Sequence, residues 1–246
     1  QDFALCPLYK ALNHDWEPRG TEWTPYMLLG SAIGDGISEF YRAVKTGVES
    51  EPLVRALHTL EEGYVEQDTW SLEALKKYVS KGLKEAIDTT PVQGEILMVD
   101  EALPSRARPD VVFLHPSEGL TVVDTKVKFK LDPRYRMRTL SEYEVSWQLM
   151  HYGWEVGEVL GQPVKTVGAH LVSLTPKVQG FYHPVSVTPA RVEFWLQQAR
   201  TLWRTMEWTD GSQPIPNWFS CYTRYGRCAF YDFCHVMDGD MEKIET

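Results

Sequence analysis

Leu72, Leu75, Val79 and Leu83 recur three and four residues apart behind Ser71, which predicts a capped amphipathic helix over residues 71–87. Phe40, Tyr41 and Val44 share a helical spacing within residues 23–46, and residues 51–67 read the same way. The pattern then changes. From Gly94 to Val127, short runs of Val, Ile and Leu alternate with Pro, Ser and Gly, which predicts three strands. Residues 142–160 return to helical spacing, and "KTVGAHLVSL" and "GFYHPVSV" predict two further strands. Pro189 suits the first turn of a closing helix over residues 189–207. The remaining C-terminal stretch is irregular and rich in Cys and aromatic residues. Helices around a central mixed sheet give an α/β fold, and no repeat or Gly/Ser linker divides the chain.

Two acids interrupt the strand pattern. In "RPDVVFLHPSEGLTVVDTKVKFK", each apolar run carries one aspartate, Asp110 and Asp124, and Lys126 follows two positions later. If Leu114 and Leu120 close the loop "HPSEG", Asp110 and Asp124 face each other across a hairpin, with Cβ atoms roughly 4.5–5.5 Å apart. Opposed like charges destabilise a sheet unless a cation neutralises them, and carboxylate oxygens suit Mg²⁺ or Mn²⁺. Period-2 alternation puts Lys126 on the face of Asp124. Two acids and a lysine at one spot suit metal-assisted phosphodiester hydrolysis. The plain alternative is a solvent-facing strand pair with an ordinary Asp–Lys contact, and a one-residue slip would part the acids.

Composition narrows the partners. The 246 residues are 43% hydrophobic and 24% charged, an ordinary globular composition. No apolar run reaches the roughly 18 residues of a membrane span, and no stretch reads as a signal peptide, so a cytoplasmic protein without a membrane partner is expected. The net charge of −9 argues against nucleic-acid binding through bulk charge. Locally the sign reverses: Lys126, Lys128, Lys130, Arg134, Arg136 and Arg138 fall within thirteen residues. They form either a phosphate-binding patch or a strand edge guarded by lysines.

The cysteines split unevenly, with Cys6 at one end and Cys221, Cys228 and Cys234 at the other. Four thiolates could hold an iron–sulfur cluster or a zinc ion, which would bring the chain ends together. Buried free thiols and disulfides remain alternatives.

These residues carry a resemblance. "RPD" with "VVDTK" resembles the P-D…(D/E)-x-K signature of the PD-(D/E)XK nuclease superfamily. "WQLMHYGW" resembles the Q-x-x-x-Y element of its RecB-like branch, with Gln148 and Tyr152 on one helix face. "GEILM" places Glu95 where that branch often carries another acid. "LCPLYKAL" and "RCAFYDFC" resemble the pieces that hold a four-cysteine [4Fe-4S] cluster in the iron–sulfur members. Those members include the AddB nuclease domain, CRISPR-associated adaptation nucleases and stand-alone phage nucleases.

The resemblance implies a single domain over residues 1–246 with a restriction-endonuclease-like core at 94–160. A helical insertion would occupy 35–90, and a cluster region, Cys6 plus 217–236, would join the termini. It implies a deoxyribonuclease acting on DNA ends or single strands in a prokaryotic or phage-infected cell, with recombination, repair or CRISPR partner proteins. Asp110, Asp124, the Thr125 carbonyl and Glu95 would hold Mg²⁺ or Mn²⁺, Lys126 would assist the water, and Gln148 and Tyr152 would complete the site. In one respect the chain departs from that family. Its first helix usually reads G-x-x-x-H, whereas here Gly30 is followed by Gly34, with Asp35 adjacent. Asp35 substitutes for the histidine, or the two aspartates suffice, or the protein is a noncatalytic DNA-binding or assembly subunit.

Overall fold

The computed structural model describes residues 24–65, 70–131, 136–144, 146–208, 222–223 and 226–227, with side chains omitted at 136–138 and from 202 onward. The chain divides into two compact units, residues 23–192 and, together, 1–22 with 193–246. In the second unit the described parts are the distal portion of a helix, Pro189–Trp208, and two paired two-residue strands, Tyr222–Thr223 and Gly226–Arg227.

The first unit opens with α1, Pro25–Thr46. The Thr24 side chain accepts from the Met27 N–H, Pro25 occupies the first turn, and Gly47 ends the helix in the left-handed region at φ 69°. Helix α2 covers Pro52–Gly63 and α3 covers Leu72–Asp88, where Ser71 accepts from the Ala74 N–H as its spacing predicts. Leu75, Val79 and Leu83 are buried. Gly36 lets the three helices close together, because a Cβ there would lie 2.9 Å from Leu83 and 3.0 Å from Ala56.

Strands β1 (Glu95–Val99), β2 (Val111–His115), β3 (Gly119–Lys130), β4 (Thr166–Thr175) and β5 (Gln179–Ser186) form one five-stranded mixed sheet in the order β1-β2-β3-β4-β5. Only β3 and β4 are parallel among these neighbours. A parallel pair needs a crossover, and α4 (Arg136–Glu144) with α5 (Trp147–Leu160) supplies it. Along β3, Val123 joins the core formed with α1–α3, together with Val111, Phe113, Val172 and Leu174. Alternation turns Val122, Asp124 and Lys126 to the opposite face. There α5 packs so closely on β4 that a Cβ at Gly153 would lie 2.9 Å from Val167.

Two boundaries differ from the sequence expectation. The single helix expected at 142–160 is two, separated by Ser146, which caps α5 by accepting from the Leu149 N–H. Helix α4, "RMRTLSEYE", has no apolar stripe to announce it. Helix α2 stops at Gly63 rather than continuing to residue 67.

Candidate active site

The hairpin register is the one that the loop arithmetic predicts. Leu114 pairs with Leu120 and Val111 with Val123, so the next position sets Asp110 against Asp124. There β2 ends while β3 continues. The Asp110 carboxylate turns back into the gap and accepts the backbone N–H of Thr125. In a strand the N–H and C=O of one residue point to the same side, so the Thr125 carbonyl also faces the end of β2.

Asp124 is 3% exposed. Lys126 Nζ lies 2.8 Å from its Oδ2 and is the cation that faces this buried oxygen. Burial and then the Asp124 charge push the Asp110 carboxyl up to about 7, against the opposing pull of the Thr125 N–H and Lys126. Burial likewise raises the Asp124 carboxyl, with Lys126 opposing. Two facing carboxyls that resist ionisation, with one lysine set against the two of them, make a donor set suited to a hard divalent cation. Among the described residues no trio of His, Cys, Asp or Glu is gathered for a metal, so a third protein ligand would be the Thr125 carbonyl.

Helix α5 covers this spot. Gln148 Nε2 donates to the Tyr152 hydroxyl at 2.7 Å, and the hydroxyl donates to the Arg108 carbonyl at 3.1 Å. Burial raises the Tyr152 phenol and the Asp124 charge raises it further, which sets Tyr152 beside the acids. Asp110, Asp124, Thr125, Lys126, Gln148 and Tyr152 are therefore brought together. Lys128 continues on the Lys126 face, and Lys130 is exposed at the strand end.

Other expected residues are not brought there. Glu95 is exposed and pairs with Leu114 at the hairpin's loop end, four positions from Asp110 along β2, or roughly 13 Å. It cannot share a cation with the pair. The acid that β1 delivers to that end is Asp100, whose N–H donates to the Asp110 carbonyl at 3.1 Å. Asp100 is held by Arg42 at 3.0 Å and by Arg108 at 3.3 Å. Asp35 turns toward α2, accepting the Thr59 hydroxyl at 2.7 Å with Arg55 at 3.7 Å, so it does not stand in for a histidine at the acids. Arg134, the side chains of Arg136 and Arg138, and Cys6, Cys221, Cys228 and Cys234 lie outside the described residues.

Sequence reasoning missed Asp100, Arg108, Ser105 and Glu155. Buried Glu155 on α5 accepts the Ser105 N–H at 2.7 Å and its hydroxyl at 2.5 Å. The four residues belong to the β1–β2 loop and its contacts, and no local spacing signals them.

No protein-family model matches the chain, and no curated protein matches it significantly. Among solved structures it is similar to a crystal structure from Eubacterium rectale described provisionally as an exonuclease. That match has a TM-score of 0.51 at 14% identity and covers 96% of this chain and 81% of that one. A match to the protein SSO0001, at TM-score 0.32 and 11% identity, is too weak to carry weight. At such identity the first likeness shows a shared α/β fold. No helix among the described residues is long and apolar enough to cross a membrane.

Proposed function

We propose that this chain is a divalent-metal-dependent deoxyribonuclease of the PD-(D/E)XK type. The observation that carries the reading is the facing Asp110–Asp124 pair, with Asp124 buried and Lys126 against it. Support comes from the fold shared with a protein described as an exonuclease. The two carboxylates and the Thr125 carbonyl would hold Mg²⁺ or Mn²⁺, which when bound polarises a phosphoryl oxygen and acidifies a water. Lys126 orients that water or takes its proton, and its charge offsets the negative charge that develops. Tyr152 and Gln148 brace the strand carrying Asp110, and Lys128 and Lys130, with Arg134, Arg136 and Arg138, hold backbone phosphates. DNA ends or single strands in recombination, repair or CRISPR adaptation are the substrate class this reading favours. Cys6, Cys221, Cys228 and Cys234 would hold a [4Fe-4S] cluster as a structural staple.

The test is cleavage of end-labelled single- and double-stranded DNA by anaerobically purified protein with Mn²⁺ and with Mg²⁺. Loss of cleavage in Asp124→Ala and Lys126→Ala supports the assignment, and unchanged metal-dependent cleavage in either would refute it. A brown protein with broad visible absorbance supports the cluster, whereas a colourless zinc protein refutes it.

A second reading, a noncatalytic DNA-binding subunit on the same fold, draws on Gly34. A Cβ there would meet nothing within 4 Å, so the position where the family carries a histidine is open space. That reading requires salt-sensitive DNA binding without turnover in any divalent metal.

A further inference from the structure

The loop from Asp100 to Asp110 joins β1 to β2 and delivers Asp110 to the site. Its outer residues, including Ser105, Arg106 and Arg108, are exposed, and Leu103 is the buried aliphatic residue in its middle. Such a loop has little apolar packing to fix it. It is nevertheless tied to α5 at two points. Tyr152 donates to the Arg108 carbonyl. Glu155, three residues on and so on the same helix face, accepts both the N–H and the hydroxyl of Ser105. His151 Nε2 lies 3.1 Å from the Glu155 carboxylate and 2.9 Å from the Ser105 hydroxyl.

Glu155 is 5% exposed. Burying a carboxylate is unfavourable unless it is paired and hydrogen-bonded, and two of the partners found here belong to one loop residue. The three side chains do not make a nucleophilic relay. Glu155 and Ser105 meet the same imidazole nitrogen, whereas a relay needs the acid on the opposite one.

From Ser105 the chain has little freedom before Asp110. Arg106 is held at φ 67° with its N–H on the Leu103 carbonyl, and the Leu103 N–H bonds the Ala107 carbonyl. Arg108 is pinned by Tyr152, and Pro109 fixes its own φ and restricts Arg108. A shift at Ser105 therefore passes along a stiff segment to the Asp110 carboxylate.

We propose that Glu155 is a positioning residue: through Ser105 it sets where the Asp110 carboxylate stands and so sets the affinity of the acid pair for a divalent cation. This rests on the metal-dependent reading above. Outer partners of metal ligands typically affect affinity by about 10–100-fold when lost. Glu155 would do so without touching the cation.

The test is Mn²⁺ binding to the full chain by calorimetry, without DNA, alongside the unfolding temperature in EDTA. Expected results are tight binding by wild type, none by Asp110→Asn, and about tenfold or more weakening in Glu155→Ala. Ser105→Ala should weaken binding in the same direction but less, because its backbone N–H still reaches Glu155, and the double variant should be no worse than Glu155→Ala, which loses both bonds. Glu155→Gln should restore part of the affinity, since its amide oxygen can still accept the Ser105 N–H while its amide N–H can donate to the Ser105 hydroxyl. A purely structural role would lower the unfolding temperature and leave Mn²⁺ affinity unmoved. Wild-type affinity in both Glu155→Ala and Ser105→Ala, with Asp110→Asn unable to bind, overturns the proposal alone. Failure of wild type to take up Mn²⁺ overturns the underlying metal reading instead. Should Glu155→Ala fail to fold, Ser105→Ala, altered at an exposed loop position, decides by itself.

Discussion

The backbone N–H of Thr125 donates to the carboxylate of Asp110 where β2 ends and β3 runs on. That bond stabilises the ionised carboxylate, yet burial and the facing Asp124 outweigh it and leave the Asp110 carboxyl near 7. The unfolded carboxyl ionises near 3.9. Between those values the folded chain binds the proton and the unfolded chain does not, so this group's contribution to stability falls as pH rises from about 4 to 7. Asp110→Asn, whose amide oxygen can still accept from Thr125, should therefore gain on wild type across that window, by up to about 1.4 kcal/mol per pH unit. Paired denaturation curves at pH 5 and 8 in EDTA test this. A constant difference between the proteins would show that Asp110 carries no strain of burial.

His170 should tilt stability the other way. It is fully buried on β4, its Nε2 meets the Thr89 hydroxyl at 3.0 Å, and burial lowers its pKa to about 4. The unfolded ring titrates near 6.5. Between 4 and 6.5 the unfolded chain binds the extra proton, so stability contributed by neutral His170 is present above 6.5 and is lost as pH falls. His170→Gln should lose its disadvantage relative to wild type as pH drops from 7 to 4.5. Because this slope opposes that of Asp110, the wild-type profile will be flatter than either variant's, and the difference curves carry the result.

What the sequence disclosed follows the range of each interaction. Facing positions in a hairpin are fixed by a loop of known length, so the opposition of Asp110 and Asp124 could be counted. Helices with an apolar stripe, such as α3, were legible, and α4 was not, because Thr139 is its one residue shown buried. Glu95 was misplaced because antiparallel pairing carries the start of β1 to the far end of β2. Its nearest chemical substitute, Asp100, lies beyond a bulge at Leu97 that alters the register between Ile96 and Met98. The bond from Ser105 to Glu155 spans fifty residues, and no local pattern encodes it.

Lys126 is expected to separate catalysis from cation binding. Its Nζ sits against Asp124 Oδ2, partly exposed while the acid is buried. Lys126→Met keeps the length and removes the charge, so DNA cleavage should fall by about 10²–10⁴-fold. Mn²⁺ binding should survive, since both carboxylates remain. In EDTA the variant should be less stable at pH 8 than wild type, because Asp124 has lost its counter-charge, and Mn²⁺ should recover the difference. Cleavage at the wild-type rate would remove Lys126 from the reaction.

Tyr152→Phe deletes one hydroxyl that accepts from Gln148 and donates to the Arg108 carbonyl. A bond of this kind contributes about 1 kcal/mol net. Thermal unfolding should drop accordingly, and cleavage should suffer more than in Gln148→Ala, which leaves the Tyr152–Arg108 bond in place. Equal effects of the two substitutions would mean that the tyrosine acts only through Gln148.

Gly34 offers the sharpest comparison between the two functional readings. It lies two helical turns before Tyr41 and so on a similar face of α1. The Asp110 charge is among the influences that raise the Tyr41 phenol, so the Tyr41 hydroxyl lies within electrostatic reach of the acid, and Gly34→His tests whether that reach extends two turns along the same face. A Cβ at Gly34 meets nothing within 4 Å, and glycine costs a helix interior about 1 kcal/mol relative to alanine. Gly34→His should therefore fold with an unfolding temperature equal to or above that of wild type. Under the nuclease reading wild type already cleaves, and the added imidazole should tighten Mn²⁺ binding and raise the cleavage rate. Under the noncatalytic reading wild type binds DNA without cutting, and turnover appearing only in Gly34→His would identify the missing side chain as what was lost. Unchanged Mn²⁺ affinity in a well-folded Gly34→His would place this face of α1 out of reach of the acids and leave Asp110, Asp124 and Thr125 as the whole protein contribution to the cation.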